Sequence, residues 1–109
     1  MRFFVKVKVD VEKMGEFGQK LQSNQLDRSL IRSETNCFVN DPAVGFSIWE
    51  AESMDSFYRI FNSWKYYYSE IEILEIISAN DAMLLLMKKS NYKRQLLQYC
   101  VAGLLLFYQ

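Results

Sequence analysis

Apolar side chains alternate without a break from Phe3 to Val11: Phe3, Val5, Val7, Val9 and Val11 fall on one face, Phe4, Lys6, Lys8 and Asp10 on the other. A period of two is what an extended chain imposes, so this is the clearest strand in the sequence. The period then changes. Met14, Phe17 and Leu21 recur at i, i+3 and i+7, with Glu16, Gln19, Lys20 and Gln22 around them, and predict a short amphipathic helix beginning at Glu12. Gly15 and Gly18 weaken it, unless Gly18, on a nearly core-facing position, lets the helix approach a sheet closely.

After a polar connection over 23–29, a second strand is expected from Leu30 to Val39. Its polar residues cluster at the middle: Ile31, Ser33, Thr35, Cys37 and Val39 share one face, and Leu30, Arg32, Glu34, Asn36 and Phe38 the other. Asn40, Asp41 and Pro42 give the strongest turn signal in the chain. A third strand over Val44 to Ala51 follows, pairing with the second as a hairpin. Ser53 is a good N-cap, Asp55 suits the first turn of a helix, and Phe57, Ile60, Phe61 and Trp64 draw a full apolar stripe. Three tyrosines, 66 to 68, lead into a β-branched run from Ile71 to Ile77, the fourth strand, with a bulge expected near Leu74 or Glu75. The order β-α-β-β-α-β over residues 2–78 is the ferredoxin-like α+β arrangement. Its helices cover one sheet face, and the economical cover for the other is a second copy of the same sheet, making a homodimer.

Composition narrows the chemistry. At 109 residues there is room for one domain, and a hydrophobic content of 50% is far above that of a disordered chain. Thirteen basic and thirteen acidic side chains leave no overall field to attract nucleic acid, which is not expected as a partner. The chain has no histidine, which removes Ser-His-Asp and Cys-His catalysis, histidine-ligated zinc or haem, and imidazole acid/base work. Cys37 and Cys100 are too few for a thiolate zinc site and lack Cys-x-x-Cys spacing, so they are read as buried free thiols in a reducing cytoplasm. The four glycines are scattered and form no phosphate loop. No metal or cofactor is expected, and the start of the chain lacks the features of a signal peptide.

The balanced charge conceals an asymmetry. Residues 1–79 carry nine basic and twelve acidic side chains, net −3, whereas residues 80–109 carry Lys88, Lys89, Lys93 and Arg94 against Asp81, net +3. The expected organisation is a ferredoxin-like domain over 1–79 and a helical extension over 80–109. In the extension, Asn80 or Asp81 can cap a helix from Ala82 to Met87, and Leu96 to Tyr108 is apolar apart from Gln98 and is interrupted by Gly103. Neither stretch approaches the roughly 20 residues needed to span a bilayer. Three readings stand: helices packed on the barrel or on a neighbouring subunit of a homodimer or higher oligomer, an interfacial membrane contact through 88–108, or a docking element for another protein.

The opening Phe-Phe-Val-Lys-Val-Lys-Val-Asp-Val (3–11), and Ile48-Trp49-Glu50-Ala51-Glu52-Ser53 through the helix to Glu70-Ile71-Glu72-Ile73, resemble the dimeric α+β barrel superfamily. Within it the chain resembles the muconolactone isomerase-like proteins and related small domains of unknown function. The resemblance implies a homodimer whose four-stranded sheets face each other, with small-molecule pockets between sheet and helices or inside the barrel. It implies no single activity: members include cofactor-free monooxygenases, haem-degrading oxygenases and lactone isomerases, and the haem branch needs a histidine this chain lacks. The expected function is that of a small-molecule-binding or structural homodimer taking a small apolar or aromatic ligand. Beside it stand a cofactor-independent isomerase or monooxygenase acting on a small cyclic or aromatic metabolite, and a membrane- or partner-recruitment module acting through the tail.

If the valine face of the first strand lies under the helices, Lys6 and Lys8 lie on the other side. The third strand is then expected to put Phe46 and Ile48 beneath the helices and Ser47 and Trp49 on the far face, beside Arg32, Glu34 and Asn36. In this constellation Glu34 is the candidate base, Lys6 or Lys8 the electrostatic stabiliser, and a tyrosine hydroxyl the donor to a developing oxyanion. The candidate catalytic residues are thus Glu34, Lys8 and Tyr67, and the candidate ligand-binding residues Lys6, Arg32, Asn36, Trp49, Tyr66 and Tyr68. The same charges also fit a salt-bridge network on a subunit interface, and Trp49 a core aromatic of a dimer.

Overall fold

The strictly alternating segment takes an inner place in the sheet. In the computed structural model, which describes residues 1–89, β1 (Arg2–Val9) lies between β3 (Asp41–Glu50) and β4 (Tyr68–Ile76), with β2 (Asn36–Phe38) outside β3. All neighbours are antiparallel, in the order β2-β3-β1-β4. The Asp10 carboxylate accepts from the Glu12 amide and caps a 3₁₀ turn, Val11–Lys13, that runs into α1 (Met14–Gln22). Ser53 starts α2 (Met54–Lys65) with a capping box in which it and Ser56 each accept from the other's backbone amide. With β1-α1-β2-β3-α2-β4 and this strand order, the fold is ferredoxin-like α+β. The chain divides into two compact units, Met1–Ile76 and Ile77–Gln109. In the second, α3 (Ala79–Lys88) is capped by Ser78, not by Asn80 or Asp81: the Ser78 hydroxyl accepts from the Asp81 amide at 3.1 Å. Cys100 and the apolar stretch 96–108 lie outside the described residues.

Register decides which side chains share the core. Directly opposed residues in an antiparallel pair point to the same face. Phe3 stands opposite Trp49, Val5 opposite Ser47 and Ile73, and Val7 opposite Gly45 and Ile71. Phe3, Val5, Trp49, Phe57 and Phe61 are all at most 2% exposed. The stripe on α2 meets Trp49 edge-on, with ring centroids 5.6 Å from Phe57, 5.5 Å from Phe61 and 5.6 Å from Trp64. Trp49 and Ser47 are therefore the helix-facing residues of β3 and Phe46 and Ile48 the outward ones, the reverse of the sequence expectation. The Trp49 indole N–H donates to the Ser47 hydroxyl at 2.9 Å, which satisfies both polar atoms inside the core.

The second strand is shorter than the pattern predicts, and the reason is local. Leu30 and Arg32 bond to β3 through Glu50 N–H to Leu30 O and Arg32 N–H to Ile48 O, both 2.8 Å. The next β3 donor, the Ile48 amide, is taken at 2.8 Å by the Ser33 hydroxyl instead of a backbone carbonyl. Ile31 pairs with Trp49 but Asn36 with Phe46, so the outer segment holds two more residues than β3 between these points and swells outward over 33–35. The turn sits on Val39 and Asn40 rather than on Asn40 to Pro42, because Phe38 already pairs with Asp41 and Pro42 falls at a register irregularity inside β3. In β4 the irregularity falls between Lys8 and Val9 of its partner, near Ser69, whose hydroxyl donates to the Lys8 carbonyl, and not near Leu74. Gly18 has nothing within 4 Å of a would-be Cβ and makes no close approach. Cys37 is exposed rather than buried.

Candidate functional site

Along β3 the helix-side residues shrink from Trp49 to Ser47 to Gly45. One end of the layer is filled by aromatic rings and the other is left hollow. The hollow is a cavity of about 540 Å³. Val7, Val9, Ala43 and Gly45 lie on its sheet side, Phe17, Leu21, Trp64 and Tyr68 form its aromatic and aliphatic walls, and the outward swelling Ser33–Thr35 with Arg28 and Cys37 bounds it on the outside. Gly45 permits this arrangement, since a Cβ there would come within 3.1 Å of both the Asn36 carbonyl and Cys37 Sγ.

The connection above the cavity is held in place by polar contacts. Trp64 Nε1 donates to the Asp27 carbonyl at 3.0 Å, Leu26 is buried, and Arg28 donates to the Leu21 carbonyl at 3.2 Å. Hydrogen bonds from Ser29, one of them the Ser29 amide at 2.8 Å, hold the Asp27 carboxyl below its usual range. Asn24 takes a left-handed conformation (φ 59°), a geometry asparagine tolerates better than most residues, and ends α1.

The three consecutive tyrosines go to three environments. Tyr66 is 55% exposed, with Lys13 Nζ 3.8 Å from its ring centroid. Tyr67 is buried and stacks on Phe17 at 5.1 Å. Tyr68 lines the cavity, with its ring against Phe17 and Phe61. Burial raises the Tyr68 hydroxyl well above the ordinary tyrosine range, and burial followed by the nearby Glu16 carboxylate raises Tyr67. Tyr68 is therefore a hydrogen-bond donor in an apolar wall at any physiological pH. Both shifts favour the protonated form in the folded state, so this stabilisation is complete below the unfolded tyrosine pKa of about 10. It is lost as pH rises from there through the folded values. Chemical denaturation between pH 9 and 12 should show that decline, and Tyr68→Phe should flatten part of it; a slope unchanged by the variant would place the titration elsewhere.

Of the candidate site residues, Glu34 and Tyr68 line the same cavity. Lys6 and Lys8 do not: they lie on the opposite sheet face, Lys6 across from Glu72 and 5.5 Å from the Phe38 ring, Lys8 across from Glu70 and 3.6 Å from Asp41. The expected pairing of Glu34 with a lysine is split by the sheet. Asn36 stands opposite Phe46 on that second face, its amide donating to the Glu34 carbonyl at 3.1 Å. Arg32 reaches Glu50 at 3.9 Å and the Ser29 carbonyl at 2.6 Å. Trp49 and Tyr67 are core residues and are not among the residues lining this cavity. Arg28, Cys37 and Trp64 are lining residues that sequence reasoning missed; the fall in side-chain size from Trp49 to Gly45 was the available signal.

No element of residues 1–76 covers the second sheet face. Phe46 lies between Phe4, stacked on it at 5.5 Å, and Phe38, tilted against it at 5.7 Å, with Ile48 and Leu74 beside them. Among the described residues no group of histidine, cysteine or acidic side chains could hold a metal ion, and no helix is long and apolar enough to cross a membrane.

No family model matches this chain, and no curated protein matches it. Among solved structures it is similar to 5-chloro-2-hydroxyhydroquinone dehydrochlorinase (TftG) from Burkholderia phenoliruptrix AC1100, in complex with 2,5-dihydroxybenzoquinone, at 15% identity and a TM-score of 0.48. The match covers 74% of this chain and 98% of that chain. No residue role is carried over from it.

Proposed function

We propose that the domain binds a small, mainly apolar cyclic or aromatic molecule in the cavity between sheet and helices, with the Tyr68 hydroxyl donating to its polar acceptor. The observation that carries this reading is the cavity itself: about 540 Å³, within the range of ligand sites, with aromatic walls and the Tyr68 hydroxyl among its few polar groups. The domain acts as a homodimer joined through the Phe4, Phe38 and Phe46 face. An exposed thiol at Cys37 suits a reducing compartment, the cytoplasm.

A second reading follows from Glu34 and Tyr68 lining one cavity. A carboxylate base and a neutral phenol are the two groups that moving a proton next to a carbonyl requires, and neither needs a cofactor. The protein would then be an isomerase of the cofactor-independent type, with Lys8 and Tyr67 outside the chemistry.

Native mass spectrometry of the protein from its own host identifies the ligand, and titration followed through Trp64 fluorescence measures its affinity. Tyr68→Phe should weaken binding about tenfold, the worth of one hydrogen bond in a dry site. Ala43→Phe, which fills the cavity, should remove binding while leaving the domain folded. Unchanged affinity in both variants would rule out this cavity as the site.

A further inference from the structure

We infer that the exposed face of α3, with the basic residues that follow it, docks on the surface of an anionic lipid bilayer without crossing it. Within α3, Ala82, Met83 and Leu86 are half-buried, whereas Leu84, Leu85 and Met87 are 57%, 51% and 41% exposed. Three large apolar side chains exposed on one ten-residue helix, among the described residues, are more than an isolated surface leucine requires. They run straight into Lys88 and Lys89, and the sequence continues with Lys93 and Arg94 and then, over 96–108, thirteen residues without a charge. Apolar, basic, apolar is the order that suits a bilayer interface: leucines reach the acyl boundary while lysines stay among the headgroups.

Charge selects the lipid surface over a protein partner of unspecified kind. The extension is net +3 with a single acid, Asp81, whereas residues 1–79 are net −3. An anionic bilayer attracts the first and repels the second. The length of α3, ten residues, and the absence among the described residues of any helix able to span suit a segment lying in the surface plane.

The test is flotation of the full chain with vesicles of phosphatidylcholine alone and of phosphatidylcholine mixed with phosphatidylserine. Binding should be roughly tenfold or more stronger to the mixed vesicles, and Lys88→Gln with Lys89→Gln should remove most of that difference. Leu84→Ser with Leu85→Ser should weaken binding to both compositions while the melting of the domain, followed by circular dichroism, stays unchanged. Equal binding to the two compositions, absence of flotation, or flotation indifferent to the leucine variant would each overturn the inference. So would a change in sedimentation mass of the leucine variant in lipid-free buffer, which would make this face a contact between copies of the chain.

Discussion

Replacing Trp49 by alanine is expected to destabilise the domain by about 3–5 kcal/mol, the range for removing a fully buried large aromatic. The indole is 2% exposed and meets three aromatic rings of α2 edge-on. Its loss would leave a cavity that rigid neighbours cannot collapse into. It would also strip the Ser47 hydroxyl, itself 7% exposed, of its donor. For a domain whose total stability is of the order of 5–15 kcal/mol, this is a large share and corresponds to a fall in melting temperature of roughly 15 °C or more. Trp49→Phe, which keeps a ring but loses the hydrogen bond, should fall between wild type and alanine. Urea denaturation followed by circular dichroism checks both. A Trp49→Ala protein within about 1 kcal/mol of wild type would mean that the side chain does not support the core.

The outward face of the same strand gives the complementary result. Phe46→Asp is expected to leave the monomer folded, because the ring is only half-buried between Phe4 and Phe38, yet to weaken the proposed self-association by at least about a hundredfold. In a two-fold dimer with facing sheets each subunit contributes the same patch, so one substitution places two carboxylates at the apolar centre. Neither has a partner there, and desolvating an unpaired charge opposes assembly strongly. Sedimentation equilibrium over a range of concentrations would read the shift. Wild-type protein that stays monomeric throughout would remove the facing-sheet dimer altogether.

The two faces of β3 also show where sequence reading stops. β1 and α2 were legible because one period dominates each: valine against lysine at period two, and Phe57, Phe61 and Trp64 along one helical stripe. In β3 both faces carry large apolar residues, Phe46 and Ile48 against Trp49, and alternation does not say which is inner. That is settled by register, Phe3 against Trp49, and a register is a relation between two segments. Glu34 and Tyr68 were legible as chemistry-bearing residues, but which lysines and tyrosines accompany them depended on the side of the sheet. The swelling at Ser33 was hidden for a different reason: a hydroxyl substituting for a backbone carbonyl leaves no trace in hydrophobic periodicity.

That substitution at Ser33 bears on how the molecule avoids its own kind of error. A long, flat outer strand with open amides and carbonyls is a template on which other chains can add. Here the outer ladder is reduced to the three residues Asn36–Phe38 and a single bridge at Ile31, separated by a segment that bows away from the sheet plane. A strand arriving from another chain would find no continuous row to pair with on that side. The same irregularity that bounds the cavity leaves that edge a poor template for strand addition.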